Sequence, residues 1–438
     1  MAREMKDSGI AWIGEIPKEW KVLPAQRGFK EIKRKNTDGA VQNALQFKYG
    51  EIIPKNNFDA DRDDYVADTI TSYTIVEPGT VMINGLNLNY DFKTQRTGLV
   101  KEKGIITSAY LALWPNRSMI LPEFATYLFK GYETRMALHN MGAGIRLTLG
   151  FKELKKQPVL FPSLDEQNRI VRFLDEECVR IDALIEQTRA SIEEYKRLKQ
   201  AIITEAVTKG VRGPRPMKDS GVAWIGEIPA EWELRKLKAI ITLIESGVSV
   251  NAAQTSANEE KVGVLKTSCV SKFIFIPSEN KEVNEDEIHR VSCPVTANTI
   301  IVSRMNTPDL VGACGYVESD YPNLFLPDRL WQVHFSKDTN VKFLWYYLNC
   351  KNVRNYYASL AVGTSSSMQN ISQDQFYNTV APFPATNEQN EIVLFLDNKT
   401  YEIDRLIESK QQLLTELEAY KKSVIYEYVT GKKEVFIG

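Results

Sequence analysis

The feature that most constrains this chain is that parts of it are written twice. The segment from Met5 to Trp20, Met-Lys-Asp-Ser-Gly-Ile-Ala-Trp-Ile-Gly-Glu-Ile-Pro-Lys-Glu-Trp, returns from Met217 to Trp232 with changes only at Ile10/Val222 and Lys18/Ala230. A second repeat opens at Phe161-Pro162 and Glu166-Gln167-Asn168. It returns at Phe383-Pro384 and Glu388-Gln389-Asn390 and runs without a gap to Val207-Thr208 and Val429-Thr430. Duplication on this scale marks a repeated structural unit. At 438 residues the chain has room for two to three domains.

The second repeat reads as a pair of long helices. Leu174, Ile181, Leu184, Tyr195, Leu198 and Ile202 fall on the a and d positions of one heptad frame, and Leu396, Ile403, Leu406, Leu417, Tyr420 and Val424 repeat it. Each helix, about 43 residues long, would extend roughly 65 Å. Neither can leave an apolar seam in water, so the two are predicted to pack on each other as a coiled coil. A coiled coil between two separate chains is the alternative.

Between the repeats lie two blocks that mix short β-rich runs with Gly, Pro and Asn turns. Strands are predicted at Thr80–Ile83, Ala109–Trp114, Thr299–Val302 and Leu330–Phe335, and helices at Glu123–Lys130 and Val341–Asn349. The expected class is α+β (α/β), with two globular domains and two long helices in an internal repeat. The expected segments are an opening repeat at 1–20, a first globular block at 21–162, a central helix at 163–210, and a linker with the second opening repeat at 211–232. A second block at 233–385, a distal helix at 386–431 and a tail at 432–438 complete the chain. Trp12, Trp20, Trp224 and Trp232 are assigned to packing.

Charge and cysteine usage narrow the function classes. A net charge of -1 argues against a protein that coats nucleic acid by charge alone. The balance is uneven: residues 21–161 hold 20 Lys+Arg against 14 Asp+Glu, while residues 233–383 hold 14 against 15. The five cysteines, Cys178, Cys269, Cys293, Cys314 and Cys350, form no metal-ligand spacing and read as reduced core thiols. No apolar run approaches the ~20 residues that cross a bilayer, and no signal segment opens the chain, so a cytoplasmic location with no membrane contact is expected.

Were such blocks to meet nucleic acid, polar, Gly-rich loops are where base edges and phosphates would be held. In the first block these are Asn84, Asn87 and Asn89 with Arg96, and the Gly142-Ala-Gly144-Ile-Arg146 turn. In the second they are Arg304 with Asn306, and Thr364, Ser365, Ser366 and Ser367 with Gln369 and Asn370. Each has a plainer reading: an ordinary turn, an Arg304–Asp309 ion pair, or a loop that caps a helix near Ser372. Arg329 is expected to order its domain through Asp328 or a backbone carbonyl.

With both repeats in view, the sequence resembles the Type I restriction-modification specificity subunits. The duplicated Met-Lys-Asp-Ser-Gly-x-x-Trp-Ile-Gly-Glu-Ile-Pro motif and the Phe-Pro-x-x-x-Glu-Gln helix start carry the resemblance across essentially the whole chain. It extends to Gly104–Tyr110, Met141–Arg146, Ser303–Thr307, Leu326–Trp331 and Gly363–Ile371, which look like the family's target-recognition domains. The resemblance implies two target-recognition domains related by a pseudo-twofold and separated by two long antiparallel helices, in a reader of double-stranded DNA that binds two adenine-N6 methyltransferase subunits and two ATP-driven restriction subunits. S-adenosylmethionine, ATP and Mg would then sit on those partners, with no cofactor or metal on this chain. Two half-sites about one helical turn apart, read by unlike blocks, imply an asymmetric site with a fixed gap. Four residues inserted near Ile203 should lengthen that gap and leave the half-sites unchanged.

Catalytic motifs point the same way. The chain has no Pro-Pro pair for a methyltransferase's flipped-base motif and no Gly-x-x-x-x-Gly-Lys-Ser/Thr phosphate loop. Glu194-Tyr-Lys196 lies on a predicted helix surface, away from any nuclease-like carboxylate cluster. A diverged nuclease and a scaffold that has lost DNA reading are the competing classes.

Overall fold

The computed structural model describes residues 3–55, 70–89, 95–144, 147–365 and 368–435. The chain forms two compact units, Met1–Arg189 with Gln411–Gly438, and Ala190–Lys410. The division falls inside both long helices, so each unit consists of one globular block plus a stretch of each helix.

The sheets of the two units have the same order although their sequences differ. In the first unit Phe29–Glu31, Leu111–Pro115, Val81–Ile83 and Thr97–Leu99 form an antiparallel sheet in that order. In the second, Ile241–Glu245, Leu330–Phe335, Thr299–Ser303 and Cys314–Val317 do the same. Strand alternation feeds two cores at once. Val81 and Ile83 join the cluster under helix Pro122–Glu133, while Met82 points into a smaller cluster with Leu45, Ile52 and Val76. Ile300 and Val302 face helix Val341–Asn349, and Ile301 faces Leu265 and Val270 on the other side. Covering both faces explains why these strands read as unbroken apolar runs.

Each block is tied off by a two-stranded ribbon. Lys21–Pro24 pairs with Pro158–Phe161, and Glu233–Lys236 with Val380–Phe383, so the beginning and end of each block lie side by side. From the second strand of each ribbon the chain turns through Phe161-Pro162 or Phe383-Pro384 into a long helix, Leu164–Lys209 or Thr386–Val429. Cys178, Cys269, Cys314 and Cys350 are buried, Cys293 is half-buried, and none is in a disulfide.

Within each unit the helix segments run antiparallel. In the first unit Lys421 Nζ meets Asp182 at 2.6 Å and Arg189 meets Glu418 at 3.0 Å. In the second, Lys199 meets Asp404 at 2.6 Å. The helices correspond at an offset of 222 residues, so Asp182/Lys421 and Asp404/Lys199 are the same pair seen twice.

The buried seam departs from the heptad frame expected from sequence. Leu174, Ile181, Leu396, Ile403 and Val424 are buried, and Tyr195, Ile202 and Leu417 are half-buried. Leu184, Leu198, Leu406 and Tyr420 are each more than 40% exposed and lie outside the seam. The seam runs through Leu174, Cys178, Ile181, Ile185, Thr188 and Ile192, so Ile185 takes the place assigned to Leu184. Adjacent residues on a helix point 100° apart, enough to carry a side chain from seam to flank. At the next seam positions, Lys199 and Lys421, a lysine stem lies against the helices while its ammonium reaches the facing aspartate. An apolar-only frame therefore selects the neighbours Leu198 and Tyr420.

One duplicated contact joins the two sequence repeats. The Trp20 indole donates to Glu166 at 2.8 Å, and Arg3 reaches the same carboxylate at 2.6 and 2.9 Å while also pairing with Glu19. In the second unit Trp232 donates to Glu388 at 3.1 Å and Arg215 meets Glu388 at 2.6 Å and Glu231 at 3.0 Å. Trp20, Trp232, Glu166 and Glu388 are all buried. Each Arg also lies over its Trp ring, at 5.7 and 5.2 Å. Burial pulls the Arg3 guanidinium down, but Glu166 and Glu19 outweigh it and hold Arg3 above its ordinary range. Trp20→Ala or Trp232→Ala should each cost about 3–5 kcal/mol, since a large buried ring is lost and a buried carboxylate loses a donor. Chemical denaturation measures this, and a loss below about 1 kcal/mol at either position would refute the clamp.

Candidate nucleic-acid interface

The loops singled out from sequence come together in pairs, one assembly in each unit. In the first, strand Val81–Ile83 ends in the loop Asn84–Asn89, which lies on the turn that follows helix Ala137–Met141. Leu149 N donates to the Gly85 carbonyl at 2.9 Å and Leu88 N to the Leu147 carbonyl at 3.2 Å. A Cβ on Gly85 would stand 2.2 Å from the Leu149 carbonyl oxygen, so only glycine allows this approach. Gly142 is close-packed against Leu88. Gly144, at φ +79°, turns the chain in open space, between Ala143 and Thr148, which exchange backbone hydrogen bonds. Arg146 lies outside the described residues.

Arg96 does not belong to the exposed loop, contrary to its grouping with the asparagines. It is 1% exposed, and its guanidinium donates to the carbonyls of Asn84 at 3.0 Å and Leu86 at 2.8 Å. Its backbone N–H donates to Glu133, which also accepts from Thr97. Burial raises the Glu133 carboxyl above the ordinary range, against the lowering effect of those hydrogen bonds. Arg96 is thus an internal brace for the loop. Of the loop's own side chains, Asn84 is half-buried and accepts from Leu86 N, while Asn87 is exposed at φ +50°.

The second unit builds the same place differently. Strand Thr299–Ser303 continues into Met305–Asn306, which pairs with Met368–Asn370, which pairs in turn with Val362–Ser365. This ribbon follows helix Lys351–Leu360, as the turn at Gly142 follows helix Ala137–Met141. Ser366 and Ser367 lie outside the described residues. Thr364 and Ser365 are described only as strand backbone. Beyond the ribbon, Ser372 and Gln375 form a reciprocal cap on helix Gln373–Tyr377.

Arg304 is held in the scaffold: its Nε donates to the Asp328 carbonyl at 2.7 Å, and its backbone N–H to the Arg329 carbonyl at 3.1 Å. Asp309 instead offers its carbonyl to Arg354, whose guanidinium burial pulls below its ordinary range. Asn306 closes a local turn through Thr307 N and Ser303 Oγ. Arg329, expected to order the domain, has an exposed side chain with no hydrogen bond or ion pair among the described residues. The Oδ1 atoms of Asn89 and Asn370 are buried acceptors without a hydrogen-bond partner among the described residues. The signal in the sequence for the anchoring of Arg304 was that it follows an all-buried strand directly.

Among the described residues no cluster of three or more His, Cys, Asp or Glu side chains is placed to hold a metal ion. No helix there is long and apolar enough to cross a membrane.

Residues 229–419 match the family model of the Type I restriction modification DNA specificity domain. The MjaVIII specificity subunit of Methanocaldococcus jannaschii is 25% identical, over 96% of this chain and 94% of that protein. The EcoEI specificity subunit of Escherichia coli is 26% identical over 50% of this chain and 38% of its own length. Among solved structures, a chain from a study of complex assembly in the type I R-M system has the same fold. It has a TM-score of 0.70 and 15% identity, and the match covers 95% of this chain and 99% of that one. The HsdS subunit from Thermoanaerobacter tengcongensis matches with a TM-score of 0.53 and 15% identity, covering 95% of this chain and 98% of that one. With both repeats, both units and the long helix pair accounted for, residues 229–419 match the Type I specificity domain and the chain over nearly its whole length is similar to the HsdS-like specificity subunits of Type I restriction-modification systems.

Proposed function

We propose that the chain reads an asymmetric, two-part site in double-stranded DNA and contributes no catalytic group of its own. The observation that carries this reading is the equivalent placement of the loop assemblies. The same strand of the same sheet leads, in each unit, into a polar loop packed on the segment after a helix, yet the residues differ. A shared frame with unlike loops suits two readers of unlike half-sites. In the first unit Asn87 and the Gly142–Gly144 turn are the proposed contacts. In the second, Arg329, Asn370 and the ribbon around Thr364 are proposed, with Arg329 able to make the bidentate contact to guanine that Arg304, being tied down, cannot.

The partners follow from the duplication. Two copies of an adenine-N6 methyltransferase would dock on the duplicated helix flanks, where Val179, Leu184 and Tyr420 in one unit correspond to Tyr401, Leu406 and Leu198 in the other, all exposed. Identical partners require equivalent surfaces, and these flanks supply them. Two ATP-driven restriction subunits would complete the assembly. S-adenosylmethionine, ATP and Mg would be held by those partners. The continuous helices would set the unread gap, so matched four-residue insertions in both should widen it by about one helical turn's rise and leave both half-sites intact.

Co-expression with a cognate methyltransferase, followed by genome-wide mapping of N6-methyladenine, tests the reading. Methylation confined to a split, asymmetric motif and dependent on this chain is expected; a stable complex without chain-dependent methylation would overturn it. Within that assay Asn87→Gly, which keeps the left-handed backbone free of strain, should weaken one half-site with little change in stability. Arg96→Ala should instead destabilise the first unit, by about 1–3 kcal/mol for each carbonyl left unpaired. Leu184→Asp with Leu406→Asp should leave the unfolding midpoint within experimental error and reduce co-purification of the methyltransferase at least tenfold.

A further inference from the structure

The two units also differ beside their opening repeats. In the second unit a groove of about 680 Å³ opens between the last turns of helix Leu164–Lys209, Ile225 of the opening repeat, and the first turn of helix Lys351–Leu360. Lys196, Arg197, Lys209 and Lys351 line it, with Glu205 as the only acid among the lining residues. Lys196 is tied to Glu193 at 2.8 Å, whereas Arg197, Lys209 and Lys351 are exposed and have no ion pair among the described residues.

In the first unit the same place is filled. Thr204 corresponds to Tyr426, whose hydroxyl donates to the Trp12 carbonyl at 2.8 Å and whose ring lies 4.8 Å beneath the Arg135 guanidinium. Arg197 corresponds to Ala419, Lys196 to Glu418 and Lys209 to Gly431. In the second unit the carbonyl of the equivalent Trp224 is served by Asn352, at 2.8 Å, and the groove stays open.

We propose that this groove holds the phosphate backbone of DNA flanking the half-site read by the second unit; this rests on the reading of the chain as a DNA-specificity subunit. Two observations favour a nucleic-acid backbone over a protein. Among the described residues the groove is open in the second unit while Tyr426 occupies its place in the first, and a surface needed by two identical partner copies would have to be open in both. It also supplies charge where charge is missing. The second block holds 14 Lys+Arg against 15 Asp+Glu, while the first holds 20 against 14, so the second half-site lacks the basic surplus available to the first. Helix Lys351–Leu360 leads from Lys351 at the groove to the ribbon at Val362. Its ten residues span about 15 Å, a distance a strand of DNA backbone covers in a few phosphates.

The test uses the complex assembled with its methyltransferase and duplexes carrying the motif found by methylation mapping, with flanks on either side, titrated across salt concentrations. The triple variant Arg197→Ala, Lys209→Ala and Lys351→Ala should lower the slope of log K against log salt by about 2–3, since each lost phosphate contact removes about 0.9. The methylated motif should not change. Arg197→Glu alone should weaken binding further than Arg197→Ala. An unchanged slope with the motif still bound would overturn the groove proposal alone. Loss of a methyltransferase copy with an unchanged slope would overturn it too and identify an acidic protein segment as the occupant. A wild-type complex without motif-specific binding would instead overturn the DNA-specificity reading.

Discussion

Two buried glutamates hold this architecture together. Glu166 and Glu388 each stand at the start of a long helix, accept from a buried Trp of the opening repeat and pair with an Arg just upstream of it. A buried carboxylate is costly unless paired and hydrogen-bonded, and here both conditions hold twice. The acid sits in the first turn, where the helix dipole also favours negative charge. Because the glutamate lies at the end of a block and the Trp at its beginning, the contact and the adjoining ribbon fix both ends of the block. The sequence between them is then free to differ.

That division of labour explains what could be read directly from sequence. The opening repeat and the helix start are legible because each side chain of the clamp must be present for the others to be tolerated. Long helices are legible from their periodicity. The shared order of the two sheets is not, since strands three to six residues long need only alternate between two cores. Val81-Met82-Ile83 and Ile300-Ile301-Val302 meet that need without resembling each other in context.

At the candidate interface the limits are of a different kind. Arginine looks alike in sequence whether it braces a loop or faces solvent. Arg96 and Arg304 spend their donors on backbone carbonyls, whereas Arg329 presents its side chain to water, and only the tertiary placement of the carbonyls separates the cases. The helix seam went astray for a related reason. Lys199 and Lys421 occupy it with their stems, and a hydropathy scale scores such a residue by its charged end.

The paired charges along the helices also carry a record of origin. Asp182 meets Lys421, and Asp404 meets Lys199; each helix therefore displays both the acid and the base that its antiparallel neighbour requires. Such a surface is self-complementary. A polypeptide of half this length, with one opening repeat, one block and one helix, would satisfy every one of these charges by meeting a copy of itself. Fusion of two such genes would retain the geometry of a homodimer and release each block to diverge, since a single chain no longer has to present the same face twice.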